Sequence, residues 1–229
     1  MAEDELNGEI AIDCYSDVLC VWAYVAQVRI DELRANLGHQ VRLNHHYLNL
    51  FGCTAHRIGE GWKDRGGYSA FSDHVLEVCA GFKHIEVNPA VWRECRPAGS
   101  GNAHLILKAV QLLEQRGVVG TEAADDLAWR IRLAFFREAR DIGDWRVLME
   151  LAEGMPIGRS EIEALVLDGS AMASLARDQE LRDQHRIAGS PTYVLDHGRQ
   201  KLFGNVGYRV IEANVMELLA HPGSQASWC

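Results

Sequence analysis

The chain has 229 residues, 48% hydrophobic and 24% charged, with a net charge of −9; that is enough for one sizeable domain, or one domain carrying a large insertion. No lysine/arginine block or basic stripe is present, which argues against a nucleic-acid partner. No apolar run reaches about 18 residues, which argues against a membrane-spanning helix and a membrane partner. The first residues, MAEDELNGE, are acidic and polar and lack the basic and apolar regions of a secretory signal, so a cytoplasmic protein is expected.

Residues 9–15 (EIAIDCY) alternate and are β-rich, a first strand. Ser16 and Asp17 are turn or capping residues. From Val21, apolar residues at Ala26, Ile30, Leu33 and Leu37 follow a helical period, and Gly38 supplies the stop. Residues 40–48 form a second strand, which completes a right-handed βαβ unit with parallel strands. Residues 52–67 carry five glycines and read as a loop. Helical patterns follow over 68–80, 102–116, 121–139, 144–153 and 159–167. In the clearest of these, Leu105, Ile106, Ala109, Leu112 and Leu113 form one face, ended by Gly117. Residues 170–187 are helical, TYVLD and QKLFG form a β-hairpin, and Tyr208 to Ala220 closes as a helix with Ile211, Val215, Leu218 and Leu219 on one face. The terminal HPGSQASWC reads as a loose tail. The element order, βαβ, then helices, then ββα, has the content of an α/β thioredoxin fold with a large helical insertion. One domain over 1–229 is expected, its core from about 9–51 and 169–220 and its insertion at about 52–168.

There are six cysteines, at 14, 20, 53, 79, 95 and 229, and no two have a zinc-type spacing. Cys20 falls where the first strand hands over to the first helix. Unpaired N–H groups and the helix dipole favour a thiolate there and can bring its pKa from about 8.5 into the range of roughly 3.5–7.5. A small buried core cysteine fits the same spacing. Pro191, in Gly189-Ser190-Pro191-Thr192, precedes a strand; a cis bond there would leave the Ser190 backbone free for an extended ligand, and an ordinary trans proline also fits. His45 and His46 point to opposite faces of a strand and cannot chelate one metal together, and no metal site is expected. His56, Trp62 and Lys63 sit in the glycine-rich stretch.

Two motifs carry a resemblance. Asp17-Val18-Leu19-Cys20-Val21-Trp22-Ala23-Tyr24 resembles the active-site segment of the DsbA family, most closely its FrnE-like and 2-hydroxychromene-2-carboxylate isomerase-like branches. Gly189-Ser190-Pro191-Thr192-Tyr193-Val194 resembles the family's cis-proline loop, and FFREARDIGDWRVLMELAE (135–153) resembles the segment that closes its helical insertion. The resemblance implies a thioredoxin fold with Cys20 as the catalytic nucleophile and the fastest-reacting thiol. Trp22, Ser190, Pro191, Asn205 and Lys63 would form a substrate or glutathione site. Val21 replaces the usual proline, and Ala23 stands where disulfide exchangers carry their second, resolving cysteine.

With Ala23 natural, the expected function is a monothiol, glutathione-linked oxidoreductase acting on a small thiol or disulfide, with glutathione as the possible cofactor and a homodimer left open. Were Ala23 a substitution for cysteine, the chain would be a dithiol oxidoreductase. A glutathione-dependent isomerase or transferase on a small organic acid is the alternative, and a non-catalytic binding module the second. Phe203-Gly204-Asn205 resembles the F-G-N of the glutathione-using branch but lacks the D-R that follows. Cys53 would be an unorthodox resolving thiol only if the second strand ended near the site, whereas Cys14, Cys79 and Cys95 read as structural.

Overall fold

The computed structural model describes residues 9–222; the polar leader and most of the expected tail, with Cys229, lie outside the described residues. The elements are β1 (Ile10–Ser16), α1 (Val21–Leu37), β2 (Val41–Tyr47), α2 (Gly67–Ala80), α3 (Gly101–Gln115), α4 (Ala123–Phe136), α5 (Trp145–Glu153), α6 (Arg159–Leu167), α7 (Ser170–Gln184), β3 (Thr192–Leu195), β4 (Gln200–Phe203) and α8 (Tyr208–Ala220). The sheet order is β2-β1-β3-β4. β1 pairs parallel with β2, from Ile10 opposite Val41 to Ser16 opposite Tyr47. The β1–β3 and β3–β4 pairs are antiparallel.

This arrangement is a thioredoxin fold in which five helices, α2 to α6, separate β2 from α7. The central strands are covered on both faces, so β3 is buried at all four positions, whereas the edge strand β4 alternates. On one face Ile12, Cys14, Tyr193 and Leu195 pack with Ile30 and Leu33 of α1 and Ile211, Val215 and Leu218 of α8. On the other, Tyr15 and Val194 meet Leu48 and Ile187. The largest cluster joins the start of α1 to α2–α6 through Tyr24, Trp92, Leu107, Phe135 and Phe136; Tyr24 stacks on Phe136 at 4.7 Å.

A buried polar network ties sheet to helices. Asp13 of β1 accepts from Asn44 at 3.0 Å and meets His46 Nε2 at 3.2 Å. His46 Nδ1 lies 2.9 Å from Asp178 of α7, whose carboxylate also takes Lys108 of α3 at 3.1 Å. Burial pulls the His46 pKa down, but its bonds to the two carboxylates outweigh that and hold it above the ordinary value. His45 points the other way, to Asp125 at 3.3 Å, as alternation along a strand requires.

Two expectations need correcting. The stretch 52–67 is not a plain loop: it holds a π-helical segment, Ala55–Glu60, and a 3₁₀ turn, Lys63–Arg65. The wide turn is closed by Gly61 N–H on His56 O at 3.0 Å, and a Cβ at Gly61 would stand 2.5 Å from Arg57 O. Helix α3 does not have the single apolar face expected of it. Leu105 and Leu112 are half-buried, while Ala103, His104, Leu107, Lys108 and Val110 are buried with Ile106, Ala109 and Leu113. It runs through the protein between α4, α6 and α7, so its polar side chains are buried too and find partners there.

The segment 97–100 runs against 51–54: Ser100 N–H bonds Phe51 O at 3.0 Å and Thr54 N–H bonds Ala98 O at 3.1 Å. A Cβ at Gly99 would lie 2.4 Å from Gly52 O and 3.1 Å from Phe51 O, both backbone, whereas one at Gly101 meets nothing within 4 Å. Gly99→Ala is expected to lower unfolding free energy by about 1–3 kcal/mol, the usual range for overpacking, and Gly101→Ala to leave it unchanged or slightly raised. Urea denaturation of the two variants checks the pair; equal midpoints would contradict the close approach.

Candidate functional site

The site begins with the turn between β1 and α1. Asp17 is fully buried. Its Oδ1 accepts from Leu19 N–H at 2.9 Å, and its Oδ2 accepts from Phe51 N–H at 2.8 Å and from the Ser100 hydroxyl at 2.9 Å. His104 Nε2 accepts the Val18 N–H at 3.3 Å. That nitrogen therefore carries no proton, and burial lowers the His104 pKa, so the 3.7 Å approach to Asp17 is not a charged pair. The turn is held from the loop after β2 and from the first turns of α3.

Cys20 is the N-cap of α1, in extended conformation, with no acidic residue in the first helical turn. Its thiol donates to Ser190 O at 3.3 Å. The Ser190–Pro191 peptide bond is cis. Among the described residues Ser190 makes no backbone–backbone hydrogen bond, and its hydroxyl oxygen accepts the Asp17 N–H at 3.1 Å. The two expected motifs, 170 residues apart in sequence, therefore meet at the sulfur.

Cys20 is only 7% exposed, and this changes its expected chemistry. Burial pushes the thiol pKa up. The Ser190 hydroxyl and the N–H groups of Ala23 and Trp22 pull it back, Asp17 pushes it up again, and the net shift is upward from 9.0. The helix-start donors are present but do not outweigh desolvation. The bond to Ser190 O also belongs to the protonated form alone.

The sulfur forms part of the wall of a cavity of about 530 Å³. Leu19, Trp22, Phe51, Trp62, Phe71 and Phe203 supply its apolar surface, with Arg57 and His74 as the basic groups and no Asp or Glu in the lining. Trp62 meets Phe71 edge-on at 5.0 Å, and Trp22 meets Phe82 likewise at 6.3 Å. Arg57, in the π-helical segment, lies 4.5 Å over the Phe51 ring and has no carboxylate partner among the described residues. Phe203 is 62% exposed at the rim and leaves no room for a side chain at Gly189: a Cβ there would stand 2.8 Å from its ring.

Of the residues expected from sequence, Cys20, Trp22 and Ser190 line this cavity, and Pro191 follows Ser190 directly. Lys63 is exposed in the 3₁₀ turn and does not line it. Asn205 is half-buried and accepts from Arg29, also away from the cavity; the N-cap of α8 is Gly207. Cys53 is exposed and outside the lining, and His56 pairs with Glu60 at the surface. Arg57 and the anchors of Asp17 escaped the sequence reading, and Phe203 entered it only within the Phe-Gly-Asn motif; a cation in a glycine-rich stretch after β2 was the only signal for Arg57. Among the described residues no group of three or more side chains is placed to hold a metal ion, no helix is long and apolar enough to cross a membrane, and the five cysteines are free.

A four-stranded sheet of this order, with a cysteine capping the helix that follows β1, defines the thioredoxin-like class of thiol-oxidoreductase folds. The chain belongs to the family of DSBA-like thioredoxin domains, which matches residues 11–215. Among solved structures it is similar to a probable DsbA oxidoreductase from Streptomyces coelicolor, at 20% identity and TM-score 0.72 over 96% of this chain and 94% of that one. It is similar to the cytosolic disulfide reductase DsbM from Pseudomonas aeruginosa with GSH, at 18% identity and TM-score 0.62 over 92% and 96%. A 2-hydroxychromene-2-carboxylate isomerase shares 17% identity at TM-score 0.59 over 91% and 95%. At these identities the likeness is one of fold. The chain has no significant match among the curated proteins.

Labelling by iodoacetamide at neutral pH is expected to reach the exposed Cys53 before Cys20. The Cys20 rate should keep climbing above pH 9, because the thiolate fraction rises with pH through a pKa held above its ordinary value. Timed quenching with peptide mass mapping measures both; a Cys20 rate that levels off below pH 8 would contradict the upward shift.

Proposed function

We propose that the protein is a monothiol, glutathione-linked oxidoreductase of small thiols and disulfides, with Cys20 as nucleophile. The observation that carries this reading is one sulfur at the start of α1, bonded to the Ser190 carbonyl of a backbone with no backbone–backbone hydrogen bond among the described residues, on a cavity with no Asp or Glu in its lining, and with Ala23 where a second sulfur would stand. Deprotonated Cys20 attacks one sulfur of a disulfide. The S–S bond breaks, a mixed disulfide forms on Cys20, and the other sulfur leaves as a thiolate. Ala23 has no sulfur to displace that adduct. A glutathione thiolate does so from outside, restoring the Cys20 thiolate and carrying the adduct away as a glutathione disulfide.

Glutathione is an extended peptide with two carboxylates. Its backbone pairs with Ser190 in the manner of strand addition, at the loop turned by Pro191, and Trp22 forms the wall beside its sulfur. Arg57, lacking an acid partner, takes a carboxylate. In this role it replaces Lys63 and Asn205, which stand outside the cavity. The resemblance to DsbM, solved with glutathione and described as cytosolic, supports the ligand and a cytosolic setting. The aromatic lining favours a second reading, in which glutathione bound at the same place is activated toward a small aromatic acid, as an isomerase or transferase would require. Net redox turnover separates the two.

Glutathione is expected to bind the wild type in titration calorimetry, and Arg57→Ala to weaken binding about tenfold, or roughly 1.4 kcal/mol. Oxidised glutathione should leave an adduct that peptide mapping places on Cys20 and that Cys20→Ser lacks. Ala23→Cys should add insulin-reducing dithiol activity that the wild type lacks. Absence of binding at millimolar glutathione would turn the reading to a partner-binding module, and binding without redox turnover would turn it to the isomerase or transferase.

A further inference from the structure

A small interior cavity of about 20 Å³ lies between α1 and the sheet. Cys14 and Tyr193 line it from the sheet, Ala23 and Gln27 from α1, Pro191 from the loop before β3, and Arg132 from α4. Arg132 is only 5% exposed. Its Nη1 donates to Gln27 Oε1 at 3.2 Å and its Nη2 to Ser16 Oγ at 3.1 Å. Both acceptors are neutral. Its Nε has no hydrogen-bond partner, and no carboxylate of the described residues forms an ion pair with it. A guanidinium carries its charge at every working pH, and an uncompensated ion in the interior costs several kcal/mol.

No other group in the cavity wall supplies the missing negative charge. Burial raises the pKa of the Cys14 thiol and of the Tyr193 hydroxyl, which keeps both protonated. His45, also in the wall, is pushed down to about 4 by burial and is neutral at pH 7. The wall therefore includes Arg132, with one unused N–H donor, and no Asp or Glu; Asp125 stands behind it, against His45 at 3.3 Å and paired with Arg34. The space takes one occupant the size of a water molecule, for which roughly 10–15 Å³ is the minimum, and excludes polyatomic anions such as phosphate or sulfate. Water would satisfy the N–H but not the charge.

We propose that this cavity binds a single halide ion, chloride under ordinary conditions, held by Arg132 between α1 and the sheet. It is separate from the Cys20 cavity and does not depend on the function proposed for it. The bound ion would join α4 to the wall that carries Ala23 and Pro191.

Crystals of the full chain grown in sodium bromide, with diffraction collected at the bromine edge, test the site directly. An anomalous peak in the cavity within hydrogen-bond reach of Arg132 Nε is expected. Density for water alone there, with no anomalous signal, overturns the proposal. In parallel, the melting temperature in sodium chloride should exceed that in sodium gluconate of equal ionic strength by about 2–4 °C, and Arg132→Gln should abolish the difference. Equal melting temperatures in the two salts, or a chloride effect undiminished in Arg132→Gln, would also overturn it. If Arg132→Gln does not fold, the bromide map of the wild type decides alone.

Discussion

The site depends on one buried carboxylate. Taking Asp17 fully out of water costs several kcal/mol unless charge-assisted hydrogen bonds replace its hydration. Three donors do so, from three parts of the chain: Leu19 in its own turn, Phe51 after β2, and Ser100 at the start of α3. Because each donor comes from a different segment, the carboxylate fixes their relative positions. Cys20, three residues on, inherits that geometry, and so does the wall formed by Leu50 and Phe51.

The same arrangement sets the electrostatics of the thiol. A helix start offers N–H groups that favour a thiolate, but Cys20 is almost wholly buried in the wall of a cavity that α2 and the Ser190 loop also line. Desolvation and the nearby Asp17 charge win, so the resting form is the thiol, bonded to Ser190 O. A ligand that pairs with the Ser190 backbone would compete with the thiol for that carbonyl.

Much of this was legible in the sequence, and the limits have physical causes. β1, α1, the hairpin and α8 follow from local alternation, period and stop signals, and their bounds agree to within a residue or two. The two motifs that meet at Cys20 were each visible alone. The glycine-rich stretch misled because glycines that allow a loop also allow a π-helical turn to pass close to its own carbonyls. Helix α3 misled because a polar residue on a buried helix reads as surface until its partner is known; Lys108 finds Asp178 and His104 finds the Val18 N–H. The anchors of Asp17 lie 34 and 83 residues away, a distance at which single-sequence pattern carries no signal. The depth of Cys20 depends on how the helical block closes over it, which no local feature records.

Helix α3 supplies Ser100 and His104 to the turn before Cys20 and Lys108 to the network that joins β1, β2 and α7. It thus crosses from the helical block to the sheet with polar as well as apolar contacts. A helical block joined to a sheet by a hinge could open alone and leave the sheet intact. Here such opening would take Ser100 from the Asp17 carboxylate and Lys108 from the Asp178–His46 pair. Sub-global unfolding along that seam is therefore penalised by lost ionic hydrogen bonds as well as by lost burial, which couples the two halves. The backbone amides of the β1–α1 turn should therefore exchange slowly, although they border the aromatic cavity at Cys20.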